Sequence, residues 1–125
     1  MPSRRINVLV VEDEALISEL VTEALGEGGF DVHAVPDAEQ ALRYLDADPK
    51  VDVLFTDINL PGRMDGSMLA EQVRRRRPEL PIVYCSGRFS PSAVSPPVPR
   101  SIFVKKPYDL DDICTLLARL TSTTH

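Results

Sequence analysis

The stretch VDVLFTDINLPGRMDG, residues 51–66, decides the fold. Val51, Val53, Leu54 and Phe55, with Thr56, have the β-branched and aromatic bias of a strand buried on both faces, and only Asp52 interrupts them. The run ends on Asp57, and the turn-forming residues Asn59, Pro61 and Gly62 follow at once. An aspartate so placed stands at the carboxyl edge of a sheet, where open α/β folds keep their ligand sites.

Upstream, Ile6 to Val11 reads as a first buried strand that runs into Glu12, Asp13 and Glu14, so acids again sit at a strand's end. Leu16, Ile17, Leu20, Val21, Ala24 and Leu25 then recur at helical spacing until Gly28-Gly29. Phe30 to Val35 is a short second strand. Asp37, with Gln40 three residues on, predicts the N-cap of a helix carrying Ala38, Ala41, Leu42 and Leu45. Downstream, a third helix from about Ser67 has Met68, Leu69 and Val73 as its apolar face and ends before Pro78. Pro81 to Cys85 is a fourth strand that leads into Ser86-Gly87, and Ser101 to Lys105 a fifth that leads into Lys106-Pro107. A last helix, capped near Asp109, carries Leu110, Ile113, Leu116, Leu117 and Leu120. Between strands four and five, residues 90–100 (SPSAVSPPVPR) hold four prolines in eleven residues, which predicts a loop or one short turn in place of a full crossover helix. Strands alternating with helices imply a parallel sheet between helical layers, with every carboxyl end on one edge.

The 125 residues fit one compact domain that needs no disulfide or structural metal to bury a core. Hydrophobic residues make up 43% and charged residues 26%, and no apolar run approaches membrane-spanning length. The first apolar run is short and ends in acids without a small-residue cleavage site, so no export signal is read there. A net charge of −5 argues against nucleic-acid binding by this domain, and the run Arg74 to Arg77 reads as a solvated helix end whose cations suit the macrodipole. Cys85 and Cys114 lack metal-site spacing and read as small hydrophobes of a reducing compartment, which places the chain in the cytoplasm; His33 and His125 fit no triad or zinc motif.

Glu12, Asp13, Asp57, Ser86 and Lys106 thus collect on one sheet edge from four strands. Three neighbouring carboxylates repel, and one would keep a proton unless cations compensate. Mg²⁺ and Lys106 together supply +3 against the −3 of Glu12, Asp13 and Asp57. Mg²⁺ takes oxygen ligands, a role that suits Asp13, Asp57 and the backbone carbonyl of Asn59, with Glu12 acting through a water. A metal, a lysine and a hydroxyl beside an aspartate suit phosphoryl transfer onto that aspartate, where catalysis is positioning and charge neutralisation.

The run VVEDE, the TDINLPGRMDG stretch, the YCSG end of strand four and the VKKPY end of strand five, in this order and over nearly the whole chain, resemble the receiver domain of bacterial two-component response regulators. The resemblance implies a flavodoxin-like (βα)₅ fold with a parallel five-stranded sheet of order 2-1-3-4-5 flanked by helices, here with a degraded or short fourth helix. It implies that the chain is one receiver domain over residues 1–125, with its core at about 6–120. Asp57 would accept a phosphoryl group from a histidine kinase or a histidine phosphotransfer protein, with Mg²⁺ as cofactor. Glu12 and Asp13 would form the acidic pocket, Ser86 would be the switch hydroxyl and Lys106 the lysine before Pro107, a cis-type proline position. Such a domain assists its own phosphorylation and dephosphorylation and is not otherwise an enzyme. Lys105 could be mistaken for Lys106, but strand alternation points it the other way.

Four departures from the family pattern stand out. Phe103 occupies the aromatic switch position and lacks a hydroxyl to donate. Arg63 reads as one extra residue in the turn between Pro61 and Asp65. The proline-rich segment stands where receivers carry a fourth helix, so residues 88–100 are the expected moving part of a switch built on Ser86 and Phe103. The run from Tyr84 to Phe89 is similar to the FATGUY group of single-domain receivers, and Arg88 within it is placed to reach the phosphoryl group or the kinase.

Other functions fit less well. A haloacid-dehalogenase type of phosphatase has a second Asp two residues after its nucleophile, where this chain has Asn59. A nucleotide or flavin site needs a Gly, Ser or Thr loop after strand one, and Glu12, Asp13 and Glu14 would repel phosphate. A pure interaction module that keeps the fold without phosphorylation remains the alternative. The residues 15–20 and Tyr108 are the expected kinase-docking surface, and no nucleic-acid or membrane partner is expected.

Overall fold

The structure, a computed structural model, describes residues 5–86 and 99–121. Its elements run β1 (Ile6–Val11), α1 (Ala15–Glu27), β2 (Phe30–Val35), α2 (Ala38–Asp46), β3 (Val53–Asp57), α3 (Gly66–Arg76), β4 (Ile82–Ser86), β5 (Ser101–Lys105) and α4 (Leu110–Thr121). The five strands pair in parallel in the order β2-β1-β3-β4-β5, which is the flavodoxin-like arrangement. β3 lies at the centre and is buried along its whole length, as is β4. The expected short fourth helix falls on residues that lie outside those described, as does the tail beyond Thr121.

The sheet separates two cores. On one face α1 and α4 cover Val8, Val10, Val53, Phe55, Val83 and Cys85; on the other α2 and α3 cover Leu9, Val11, Leu54, Ile82 and Tyr84. Strand alternation accounts for this division, since odd and even residues of each strand face opposite layers. The helix starts follow cap chemistry. Asp37 accepts a hydrogen bond from the Gln40 amide at 2.8 Å, and Asp65 accepts one from the Met68 amide at 2.9 Å. The Asp109 carboxylate does the same for the amides of Asp111 (2.7 Å) and Asp112 (3.3 Å).

Three sequence expectations need correction. Met68 is 48% exposed, and α3 packs through Gly66, Leu69, Ala70 and Val73 instead. Leu16 and Leu20 are 68% and 50% exposed, so α1 buries only the Val21–Leu25 side of its apolar stripe. The basic run is not simply solvated. Arg74 donates to the carbonyl oxygens of Arg77 (2.8 Å), Pro99 (2.6 Å) and Arg100 (3.4 Å). Arg76 pairs with Asp46 at 2.8 Å, and Arg77 donates to the Pro49 carbonyl at 2.9 Å. These arginines tie the end of α3 to the end of α2, to the α2–β3 loop and to the start of β5.

Candidate phosphoryl-acceptor site

The carboxyl ends of β1, β3, β4 and β5 meet on one edge and bring Glu12, Asp13, Asp57, Ser86 and Lys106 together. Asp57 is the last residue of β3 and is only 5% exposed. Both of its carboxylate oxygens are held: Lys106 Nζ donates to Oδ2 at 2.8 Å and the backbone amide of Asn59 donates to Oδ1 at 3.0 Å. Lys106 follows β5 directly, its amide donates to the Ser86 carbonyl at 3.0 Å, and its peptide bond to Pro107 is cis. Lys105, one residue earlier, is exposed. Burial acts to lower the Lys106 pKa, but the hydrogen bond and charge of Asp57 outweigh it and leave the ammonium above its ordinary range.

Glu12 is buried and turned inward. Its Oε2 accepts the Glu14 amide at 3.0 Å, which shapes the turn into α1, and its Oε1 lies 3.8 Å from Lys106 Nζ. Burial raises its pKa; the Glu14 amide and Lys106 oppose the rise, while Asp57 and Asp13 add to it. Asp13 is exposed at the mouth of the site. One carboxylate oxygen from each of Glu12, Asp13 and Asp57 lies within 4.8 Å of the others. Carboxylate oxygens this close are the hard donors that Mg²⁺ takes, so Glu12, Asp13 and Asp57 fit such an ion. Three acids against one lysine leave a charge deficit of the size a divalent cation would fill, and the oxygen donors suit Mg²⁺.

Two features escaped the sequence reading. The Asn59 side chain donates from Nδ2 to Ser86 Oγ at 3.1 Å, joining the ends of β3 and β4. Gly66 packs so closely on the acceptor that a Cβ there would strike the Asp57 carbonyl oxygen and come within 2.8 Å of the Ile58 Cα. Its amide donates to the Ile58 carbonyl at 2.8 Å. Only strand order reveals the Asn59 bond, whereas the DG pair at Asp65-Gly66 was a visible signal. Arg63 is exposed, and with Pro61 and Gly62 (φ +91°) it lines a small cavity against the Asp37 end of α2. Phe103 is half-buried beside Tyr84, its partner in register, and packs on the α2–α3 side of the sheet. Arg88 and its place in the FATGUY-like run lie outside the described residues.

Fold and site together define a doubly wound α/β signalling domain with an acidic pocket around a strand-end aspartate. Residues 8–118 match the family model described as the response regulator receiver domain, and the chain belongs to that family. Among curated relatives, the nitrogen assimilation regulatory protein NtrX of Azorhizobium caulinodans is 32% identical over 94% of this chain, and the DNA-binding transcriptional regulator NtrC of Escherichia coli is 31% identical over 92%. The chain spans about a quarter of their length, 26% and 24% respectively. Among solved structures, a response regulator receiver protein from Sinorhizobium medicae is similar with a TM-score of 0.89 and 30% identity, covering 96% of this chain and 97% of that one. No helix among the described residues is long and apolar enough to cross a membrane.

Proposed function

We propose that this receiver domain accepts a phosphoryl group on Asp57 from a phosphohistidine donor and so switches its protein contacts. The single observation that carries the reading is the Lys106–Asp57 pair at 2.8 Å inside a pocket that also holds Glu12 and Asp13. In the transfer, the P–N bond of the donor breaks as an Asp57 carboxylate oxygen forms a P–O bond; hydrolysis later returns the carboxylate and inorganic phosphate. Asp13, Asp57 and the Asn59 backbone carbonyl would hold Mg²⁺, with Glu12 acting through a water. Bound there, Mg²⁺ would supply positive charge to the phosphoryl oxygens. Lys106 fixes the orientation of the carboxylate and neutralises developing charge on it. Ser86, buried next to the site, provides a hydroxyl for a phosphoryl oxygen, and Phe103 follows its movement as the second part of the switch.

This reading treats residues 1–125 as one receiver unit with its core at about 6–120, a phosphoacceptor that assists its own phosphorylation and dephosphorylation. Its donor is a sensor histidine kinase or a histidine phosphotransfer protein. An open apolar groove lined by Ile17, Leu20, Val21, Pro107, Tyr108 and Leu110 adjoins Lys106 and is the docking place this reading gives to that donor. Two free cysteines support a cytoplasmic setting. A module that keeps the fold without phosphorylation has no observation in its favour, since each position of the pocket carries a competent residue.

Incubation with Mg²⁺ and phosphoramidate, followed by intact mass measurement, tests the function. A phosphoryl adduct that disappears with a chelator and in Asp57→Asn is expected. An unchanged mass in the wild-type protein would contradict the reading.

A further inference from the structure

Helix α1 forms one wall of the apolar groove beside the acceptor site, and its 13 residues include no lysine or arginine. Leu16, Leu20, Glu23 and Glu27 follow one another along it at spacings of four, three and four, which puts them in a single stripe, and all four are exposed. The leucines stand at the end nearer the acceptor; the glutamates lie about 10 Å further along the helix axis. Across the groove, α4 opens with the exposed acids Asp109, Asp111 and Asp112. Among the described residues none of these acids forms an ion pair, and the cation that lines the groove, Lys106, is turned onto Asp57 at 2.8 Å. At the amino-terminal edge of the sheet charge is matched instead, with Arg5, Arg76, Arg77 and Arg100 each beside a carboxylate. The groove side of the molecule therefore joins uncovered leucines to uncompensated negative charge.

We propose that the occupant of this groove is an amphipathic helix of the phosphodonor whose apolar side chains meet Leu16 and Leu20 and whose lysines or arginines, about two turns further along, meet Glu23 and Glu27. The inference rests on the donor-docking reading of the groove and adds to it the chemistry and the register of the partner. A straight stripe at helical spacing is matched by a second helix laid along it, since both repeat at i, i+3 and i+4. Charge complementarity selects a basic flank, because an acidic one would meet Glu23 and Glu27 on one side and Asp111 and Asp112 on the other. A second copy of this chain does not fit. Two α1 helices paired in parallel set glutamates against glutamates, and paired in antiparallel they set glutamates against leucines.

The test uses two synthetic helical peptides with the same leucine face, one flanked two turns along by lysines and the other by glutamates, and reads binding by fluorescence anisotropy. Wild type should bind the lysine peptide at least about 10-fold more tightly, with the preference shrinking between about 50 and 500 mM salt. Glu23→Lys with Glu27→Lys should weaken that binding roughly 3- to 20-fold, whereas the charge-matched pair Glu39→Lys with Glu71→Lys, on α2 and α3, should change it less than about 2-fold. Glu23→Gln with Glu27→Gln serves if the reversed variant does not fold. The lysine peptide should also slow transfer from a phosphorylated histidine phosphotransfer protein while leaving labelling by phosphoramidate unchanged. Equal weakening by the control pair would reduce the preference to general charge attraction and overturn the proposal, as would no preference between the peptides or a peptide that slows both reactions or neither. A dimer of this chain that Leu20→Glu dissolves would give the groove to a second copy and overturn it too. Wild type that phosphoramidate fails to label removes the acceptor reading and the donor assignment with it, an outcome distinct from a labelled protein that ignores the peptide charge.

Discussion

At residue 66 even one methyl group has no room. Gly66 lies against the Asp57 carbonyl and the Ile58 Cα, so Gly66→Ala must displace backbone at the foot of the acceptor. A loss of about 1–3 kcal/mol in urea unfolding is expected, the range of an overpacked core, together with weaker Mg²⁺ binding. Unchanged stability would show that the α3 start can move away freely. The cysteines give a second check. Burial pushes the Cys85 thiol up to about 12, and its Sγ donates to the Thr56 carbonyl at 3.6 Å. A thiol reagent at pH 8 should therefore label the half-buried Cys114 of the folded protein and reach Cys85 only on unfolding. Equal labelling rates would contradict the packing of β4. Among the site residues, the family resemblance, which puts the lysine directly before proline in the site, and strand alternation together select Lys106 over Lys105, and Lys106 Nζ lies on Asp57. The Asn59–Ser86 bond was not readable in the sequence, because it spans 27 positions and depends on β4 lying beside β3.

Helix α3 and strand β5 are joined by one guanidinium. Arg74 donates to the carbonyls of Pro99 and Arg100 where the chain enters β5, and Arg100 itself sits at φ +59° with its side chain 3.2 Å from Glu79. Arg74→Ala should cost about 1 kcal/mol, a half-exposed share of a charged hydrogen bond, and should speed amide exchange in Ser101–Lys105 while sparing β1 and β3. Uniform exchange across the sheet would show that Arg74 does not anchor β5 specifically. The sequence run of four arginines looked like a solvated helix end because composition does not disclose which carbonyls lie opposite. The apolar stripe of α1 differs from its expected burial for a related reason, since periodicity marks a face without saying that something covers it. Leu16 and Leu20 remain exposed, and Leu20 lines the groove next to Lys106. Leu20→Glu should leave stability within about 0.5 kcal/mol and phosphorylation by phosphoramidate unchanged, yet slow transfer from a histidine phosphotransfer protein. Slowing of both reactions alike would place Leu20 in the fold and not at the docking surface.

The whole molecule is organised by the single edge on which the parallel strands end. Alternating strands and helices made that edge readable from sequence, and the order β2-β1-β3-β4-β5 follows the resemblance closely. What sequence could not supply is depth: Glu12 is buried and committed to the Glu14 amide, whereas Asp13 is exposed, although the two are adjacent acids in one run. Three acids and one lysine on this edge also predict that Mg²⁺ stabilises the fold. At a Mg²⁺ concentration of 100 times its Kd the gain is about 2.7 kcal/mol, and chelation should reverse it in thermal unfolding. Insensitivity to Mg²⁺ would remove the metal from the account. The claim on which the rest depends is that Asp57 carries the phosphoryl group, and borohydride reduction of the phosphorylated protein addresses it directly, since an acyl phosphate is reduced to the alcohol. Peptide mass mapping should find homoserine at position 57 alone; reduction at another carboxylate, or at none, would contradict it.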